Sequence, residues 1–136
     1  MKVVLDCNVF VICLTSRSPY HHIYKSLIER KFELMVTMDI LLEYEETIQL
    51  KYGLNGAKSF MDLLALLPNV HYVHPYYKWN LIYADPDDNK YCDCAVSGTA
   101  DYIVTEDKHF EALRTISYPP IIPISIDDFS KILQAT

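Results

Sequence analysis

The chain has 136 residues, 51% of them hydrophobic, and a formal net charge of −6. That length buries one core and divides poorly, so a single domain over residues 1–136 is expected. The acidic balance argues against a surface coated in Lys and Arg for nonspecific duplex binding, and no apolar run reaches the ~18–20 residues of a membrane-spanning helix.

Four cysteines, Cys7, Cys13, Cys92 and Cys94, lack the spacing of a secreted disulfide scaffold, and Met1 leads straight into a strand pattern. A reduced, cytoplasmic protein is expected. No second Cys or His pair accompanies Cys92-x-Cys94 at finger-like spacing, so zinc is not indicated.

In chain order, Lys2-Val3-Val4-Leu5-Asp6 is a short apolar run that stops at a carboxylate, the pattern of a buried parallel strand. A loop through Thr15–Pro19 leads to a helix from about Tyr20 to Arg30, with Ile23, Leu27 and Ile28 inward. Glu33–Thr37 reads as a second strand. Thr37 caps a helix from Met38 to about Tyr52, where Ile40, Leu41, Tyr44 and Ile48 keep helical spacing and Gly53 ends it. A separate helix follows from Gly56 to Leu67 and breaks at Pro68, ahead of a third strand over Asn69–Val73.

The stretch from His74 to Tyr83 is aromatic and without period; its rings suit either base stacking or cover of the core edge. Asp85-Pro86-Asp87-Asp88 then opens a helix over Asp87–Ser97. Capping and the helix dipole explain such density in part, and Asp85 is assigned to that role. Asp101–Thr105 is a fourth strand ending at Glu106-Asp107, with a short helix through Leu113. Ile121–Ile124 is a fifth strand whose proline favours an edge, and Ser125-x-x-Asp128 is a capping box for the last helix.

Strands alternating with helices imply a three-layer α/β/α sandwich around a parallel sheet of about five strands. Ligands in such folds gather outside the carboxyl ends of the strands. Asp6 and Asp107 fall there directly, while Asp88 and Glu43 lie near the starts of helices that face the same rim. Four carboxylates sharing a cleft repel one another unless hard cations such as Mg²⁺ or Mn²⁺ occupy it.

Val4-Leu5-Asp6-Cys7-Asn8, Glu43-Tyr44, Asp88 through Ala95, and Ala100 through Asp107 resemble the successive motifs of PIN-domain ribonucleases, nearest to the toxin components of toxin–antitoxin pairs. The resemblance implies that Asp6, Glu43, Asp88 and Asp107 are catalytic and hold divalent metal, that Asn8 and Thr105 orient carboxylates or the attacking water, and that Asp93 supports them. Asp87 and Asp93 compete with Asp88 for the third position, and spacing to the fourth strand favours Asp88. Glu106 stands beside Asp107 as a substitute or a solvent-facing neighbour. Lys90, Lys108, His109 and Arg17 flank the motifs, either as phosphate holders or as a solvated face.

The implied chemistry is hydrolysis of RNA phosphodiesters, leaving a 5′-phosphate and a 3′-hydroxyl. The implied partners are RNA, a cognate antitoxin that brings a basic side chain to the cleft, and a second copy in a homodimer. Two rivals stand beside this reading. One is a PIN-like binding module with a degenerate site; the other is an aspartate-based phosphatase or receiver domain built on Asp6-x-Asn8.

Overall fold

The computed structural model describes residues 1–82 and 86–135. Five parallel strands form one sheet: β1 (Lys2–Leu5), β2 (Glu33–Val36), β3 (Val70–Tyr72), β4 (Tyr102–Val104) and β5 (Pro123–Ile124), in the order β3-β2-β1-β4-β5. The most apolar strand takes the centre. Val3, Val4 and Leu5 of β1 are fully buried, and they pair with Tyr102, Ile103 and Val104 of β4. Pro123 stands on the edge strand, between ladder bonds in which Ile103 and Thr105 donate to the carbonyls of Ile122 and Ile124. Its missing N–H therefore costs the sheet no partner.

The helices are α1 (Cys7–Leu14), α2 (His21–Ile28), α3 (Met38–Leu66), α4 (Asn89–Ser97) and α5 (Ile126–Gln134). On the sheet, α4 packs against β1, β2 and β4, while α2 packs between α1 and α5, giving the expected α/β/α sandwich. Buried Phe10 of α1 stacks on Tyr44 of α3, ring centroids 4.4 Å apart, and Phe32 meets Phe129 of α5 edge-on.

Three elements differ from the sequence expectation. Helix α1 replaces an unassigned stretch: six of its eight residues are buried, so no polar face marks the period. The expected break at Gly53 is present inside the span of α3: Gly53 leaves helical values, with φ 81° and ψ 175°, and separates the two helices that the sequence predicts there. The segment after Asp107 is 3₁₀ rather than α, over Lys108–Thr115, and another 3₁₀ turn, Pro86–Asp88, precedes α4. The caps fall as expected. Thr37 Oγ1 accepts from Ile40 N at 3.2 Å and Ser125 Oγ accepts from Asp128 N at 3.0 Å.

Candidate functional site at the carboxyl edge of the sheet

The ladder carries Asp6 to the rim. Its amide donates to Val104 O at 3.0 Å, one step beyond the last paired residue of β1, which sets Asp6 beside Thr105 at the end of β4. Both side chains are buried. Thr105 Oγ1 donates to Asp6 Oδ2 at 2.8 Å and accepts from Asp107 N at 3.0 Å, so one hydroxyl fixes the central carboxylate and the backbone that presents the next. Asp107 in turn accepts from His109 N at 2.9 Å, and its Oδ1 lies 3.3 Å from the His109 ring nitrogen Nδ1.

Glu43 arrives from α3. Its neighbour Tyr44 donates to the carbonyl of Leu5, which ties the second turn of α3 to the end of β1. The Glu43 carboxylate is gripped by two successive residues of α4. Lys90 Nζ lies 2.9 Å from Oε2, and the Tyr91 hydroxyl donates to Oε1. Tyr91 also accepts from Cys7 N at 3.2 Å. Burial pushes the Tyr91 phenol far above its ordinary value, so it remains a donor.

Asp88 stands at the N-terminal boundary of α4, yet its side chain caps no amide of that helix, so helix capping does not account for it. Instead, ligand atoms of Asp88, Asp107 and His109 all lie within 4.8 Å of one another. Asp6 and Glu43 stand outside that trio but share its electrostatics. Burial first, then the charges of Glu43 and Asp107, raise the Asp6 carboxyl above the ordinary aspartate value, against the lowering effect of the Thr105 hydrogen bond.

The remaining candidates separate. Asn8 is exposed on the first turn of α1 and hydrogen-bonds no carboxylate among the described residues. Asp93 is buried one turn further along α4, where Oδ1 accepts from Trp79 N at 3.1 Å and holds the aromatic segment against the helix. Burial raises its carboxyl as well. Asp87 is exposed. Glu106 Oε1 accepts from Ile126 N at 2.6 Å, at the start of α5. Asp85, assigned to capping, lies outside the described residues, as does Tyr83 of the aromatic stretch.

Sequence reasoning did not find Tyr91, because nothing in its local pattern marks a buried tyrosine whose hydroxyl reaches another helix. It did flag Lys90, as a phosphate holder; the structure pairs it with Glu43 instead. Arg17 and Lys108 are exposed. The four thiols are free and buried, with Cys7 pushed up to about 11 and Cys13, Cys92 and Cys94 each to about 12, so none offers a thiolate at neutral pH.

A cleft of about 480 Å³ adjoins the site, lined by Asp39, Glu43, Lys78, Asp87, Lys90 and Asp93 among others. The donor set fits a hard cation. It offers carboxylate oxygens in excess of nearby positive charge, beside an Asp6 carboxyl raised by burial and then by the charges of Glu43 and Asp107. No described helix is long and apolar enough to cross a membrane.

No curated protein matches the sequence significantly. Among solved structures, a chain of the crystal structure of VapBC2 from Rickettsia felis bound to a DNA fragment from their promoter is similar, with a TM-score of 0.60 at 15% identity, covering 92% of this chain and 98% of that one. At that identity the likeness is one of fold. The model of the PIN domain matches residues 2–109, a span that holds β1 through β4 and every acid of the cluster, and the chain therefore belongs to the PIN-domain family.

Proposed function

We propose that the protein is a divalent-metal-dependent endoribonuclease, the toxin of a toxin–antitoxin pair. The support for this reading is the acidic group at the carboxyl edge of β1 and β4: ligand atoms of Asp88, Asp107 and His109 lie within 4.8 Å of one another, and Asp6, linked to Asp107 through Thr105, is raised by burial and then by the charges of Glu43 and Asp107. In this reading Asp6, Asp88 and Asp107 hold Mg²⁺ or Mn²⁺, with Glu43 completing the set. Bound there, the cation supplies an activated water and stabilises charge on the phosphate oxygens.

The protein's own groups prepare the site. Thr105 holds Asp6 in one orientation, His109 N–H steadies Asp107, and Tyr91 with Lys90 steadies Glu43. No side-chain nucleophile is required, in keeping with protonated, buried thiols. The VapBC2 assembly of the structural neighbour supports an antitoxin as the partner, and the resemblance to that branch supports single-stranded RNA as substrate, a homodimer and a cytoplasmic setting.

The test is cleavage of a panel of unstructured RNAs in Mg²⁺ or Mn²⁺, with chelator as control. Asp88→Asn should lower turnover by more than the roughly 10–100-fold that loss of an outer-shell partner costs a metal site. Intact RNA under all metal conditions would refute the nuclease reading. Cation binding without cleavage would favour the binding module.

A further inference from the structure

Both oxygens of Glu43 are occupied by donors from α4, and the two donors differ in their freedom to leave. Tyr91 is 1% exposed, its ring is packed beside Phe110, and its hydroxyl is pinned a second time by Cys7 N at 3.2 Å. Beyond Glu43, Lys90 meets the face of the Tyr91 ring, its Nζ 5.6 Å from the centroid, a weaker hold than a second hydrogen bond. Its side chain is 22% exposed on a flexible stem, and it borders the open cleft that Lys78, Asn80 and Asn89 also line. Each carboxylate oxygen keeps a further lone pair for a cation, but an ammonium 2.9 Å from Oε2 repels one that approaches, and of the two donors only Lys90 carries that charge and borders open space into which it can swing.

We propose that Lys90 is a displaceable counter-ion that occupies Glu43 Oε2 and sets which cations complete the site, admitting a divalent ion and holding against monovalent ones. The proposal rests on the cation site described under Proposed function. Physically, a single positive charge at 2.9 Å satisfies Glu43 in the cation-free protein, and only an ion of higher charge density among the same carboxylates offsets the loss of that pair. Lys90 thereby lowers the repulsion that would otherwise open the cluster, at the cost of weaker cation binding.

The experiment is calorimetric titration of the full chain with MnCl₂ in the absence of RNA, together with melting of the chelator-treated protein. Lys90→Met removes the charge and keeps the stem. It should bind Mn²⁺ roughly fivefold tighter or more, because the pair is less exposed than surface ion pairs whose worth corresponds to about that factor at its upper end. The same variant should melt lower than wild type without metal and gain more from added Mn²⁺. Lys78→Met removes a charge from the same cleft without an ion pair to Glu43 among the described residues, and should change affinity less than twofold. Lys90→Arg retains the pair and should bind Mn²⁺ no tighter than wild type.

Equal or weaker Mn²⁺ binding by Lys90→Met overturns the proposal, as does equal tightening in Lys78→Met, which would make the effect one of net charge. Tighter binding by Lys90→Arg also overturns it, and that variant decides the matter should Lys90→Met not fold. If wild type and every variant bind no Mn²⁺, the cation site itself fails, an outcome distinct from the failure of Lys90 as its gate.

Discussion

The Thr105 hydroxyl is the smallest group on which the site depends, and Thr105→Val replaces it at nearly constant shape. Two interactions disappear together. The donor to Asp6 Oδ2 at 2.8 Å serves a buried carboxylate, and hydrogen bonds to charged groups contribute about 1.5–3 kcal/mol. The acceptor for Asp107 N at 3.0 Å is lost as well, and a polar group left without its partner costs about 1–3 kcal/mol where it is buried. The two share one oxygen and Asp107 is only partly buried, so a simple sum overstates the loss; about 2–4 kcal/mol is expected. Urea denaturation in chelator at neutral pH reads it directly. With a slope of about 1–3 kcal/mol per molar urea, the midpoint should fall by roughly 1–2 M. Thr105→Ser is the control, since it keeps the hydroxyl and removes one methyl group, a cost of about 0.8 kcal/mol. A loss below about 0.5 kcal/mol for the valine variant, or an equal loss for serine, would refute the claim that this hydroxyl holds the cluster in place.

Two further outcomes follow from features outside that chain of hydrogen bonds. Asp93 has its carboxyl raised above the ordinary value of 3.8 by burial, so its stabilising contribution is complete below that value and is lost as pH rises through the raised one. Asp93→Asn keeps an acceptor for Trp79 N, and its stability relative to wild type should improve as pH is raised from the acid range to neutrality; a difference independent of pH would refute the assignment. Gly53→Ala places a side chain at φ 81° and ψ 175°, a region nearly reserved for glycine, where no neighbouring atom lies within 4 Å of the new Cβ. Backbone strain alone should then cost about 1–3 kcal/mol by denaturation, less the ~0.4–1 kcal/mol gained from a stiffer unfolded chain, and Mn²⁺ affinity should not change because Glu43 lies in the preceding half of the helix.

The sequence was most legible where one physical rule acted alone. An apolar run ending at Asp6, another ending at Thr105, and Ser or Thr three residues ahead of a first-turn amide each announce a strand end or a cap without reference to the rest of the chain. Helix α1 was hidden because Cys7, Val9, Phe10, Val11, Cys13 and Leu14 are all buried, and an element covered on nearly every side shows no amphipathic period. The break at Gly53 was legible because glycine marks positive φ, and the backbone does leave helical values there before the second helix begins. The four acids were proposed from their positions at strand and helix ends, and the structure brings ligand atoms of two of them, Asp88 and Asp107, together with His109. Their supports were harder: Tyr91 acts on Glu43 across 48 residues, and the hydrogen bond from Trp79 N to Asp93 joins two segments with no shared local pattern.

How the acids are held follows from how those supports are distributed. Asp6 takes a hydroxyl from β4's end, Glu43 takes an ammonium and a phenol from α4, and Asp107 takes a backbone amide from its own 3₁₀ turn. The donors come from three places, the end of β4, helix α4 and the 3₁₀ turn, so the repulsion among Asp6, Glu43 and Asp107 is opposed locally and no single substitution releases all three. Only Lys90 among these donors brings a formal charge, and it is the one bordering the open cleft. Neutral donors therefore set the geometry, while the one formal charge sits on a flexible side chain at the edge of the cleft.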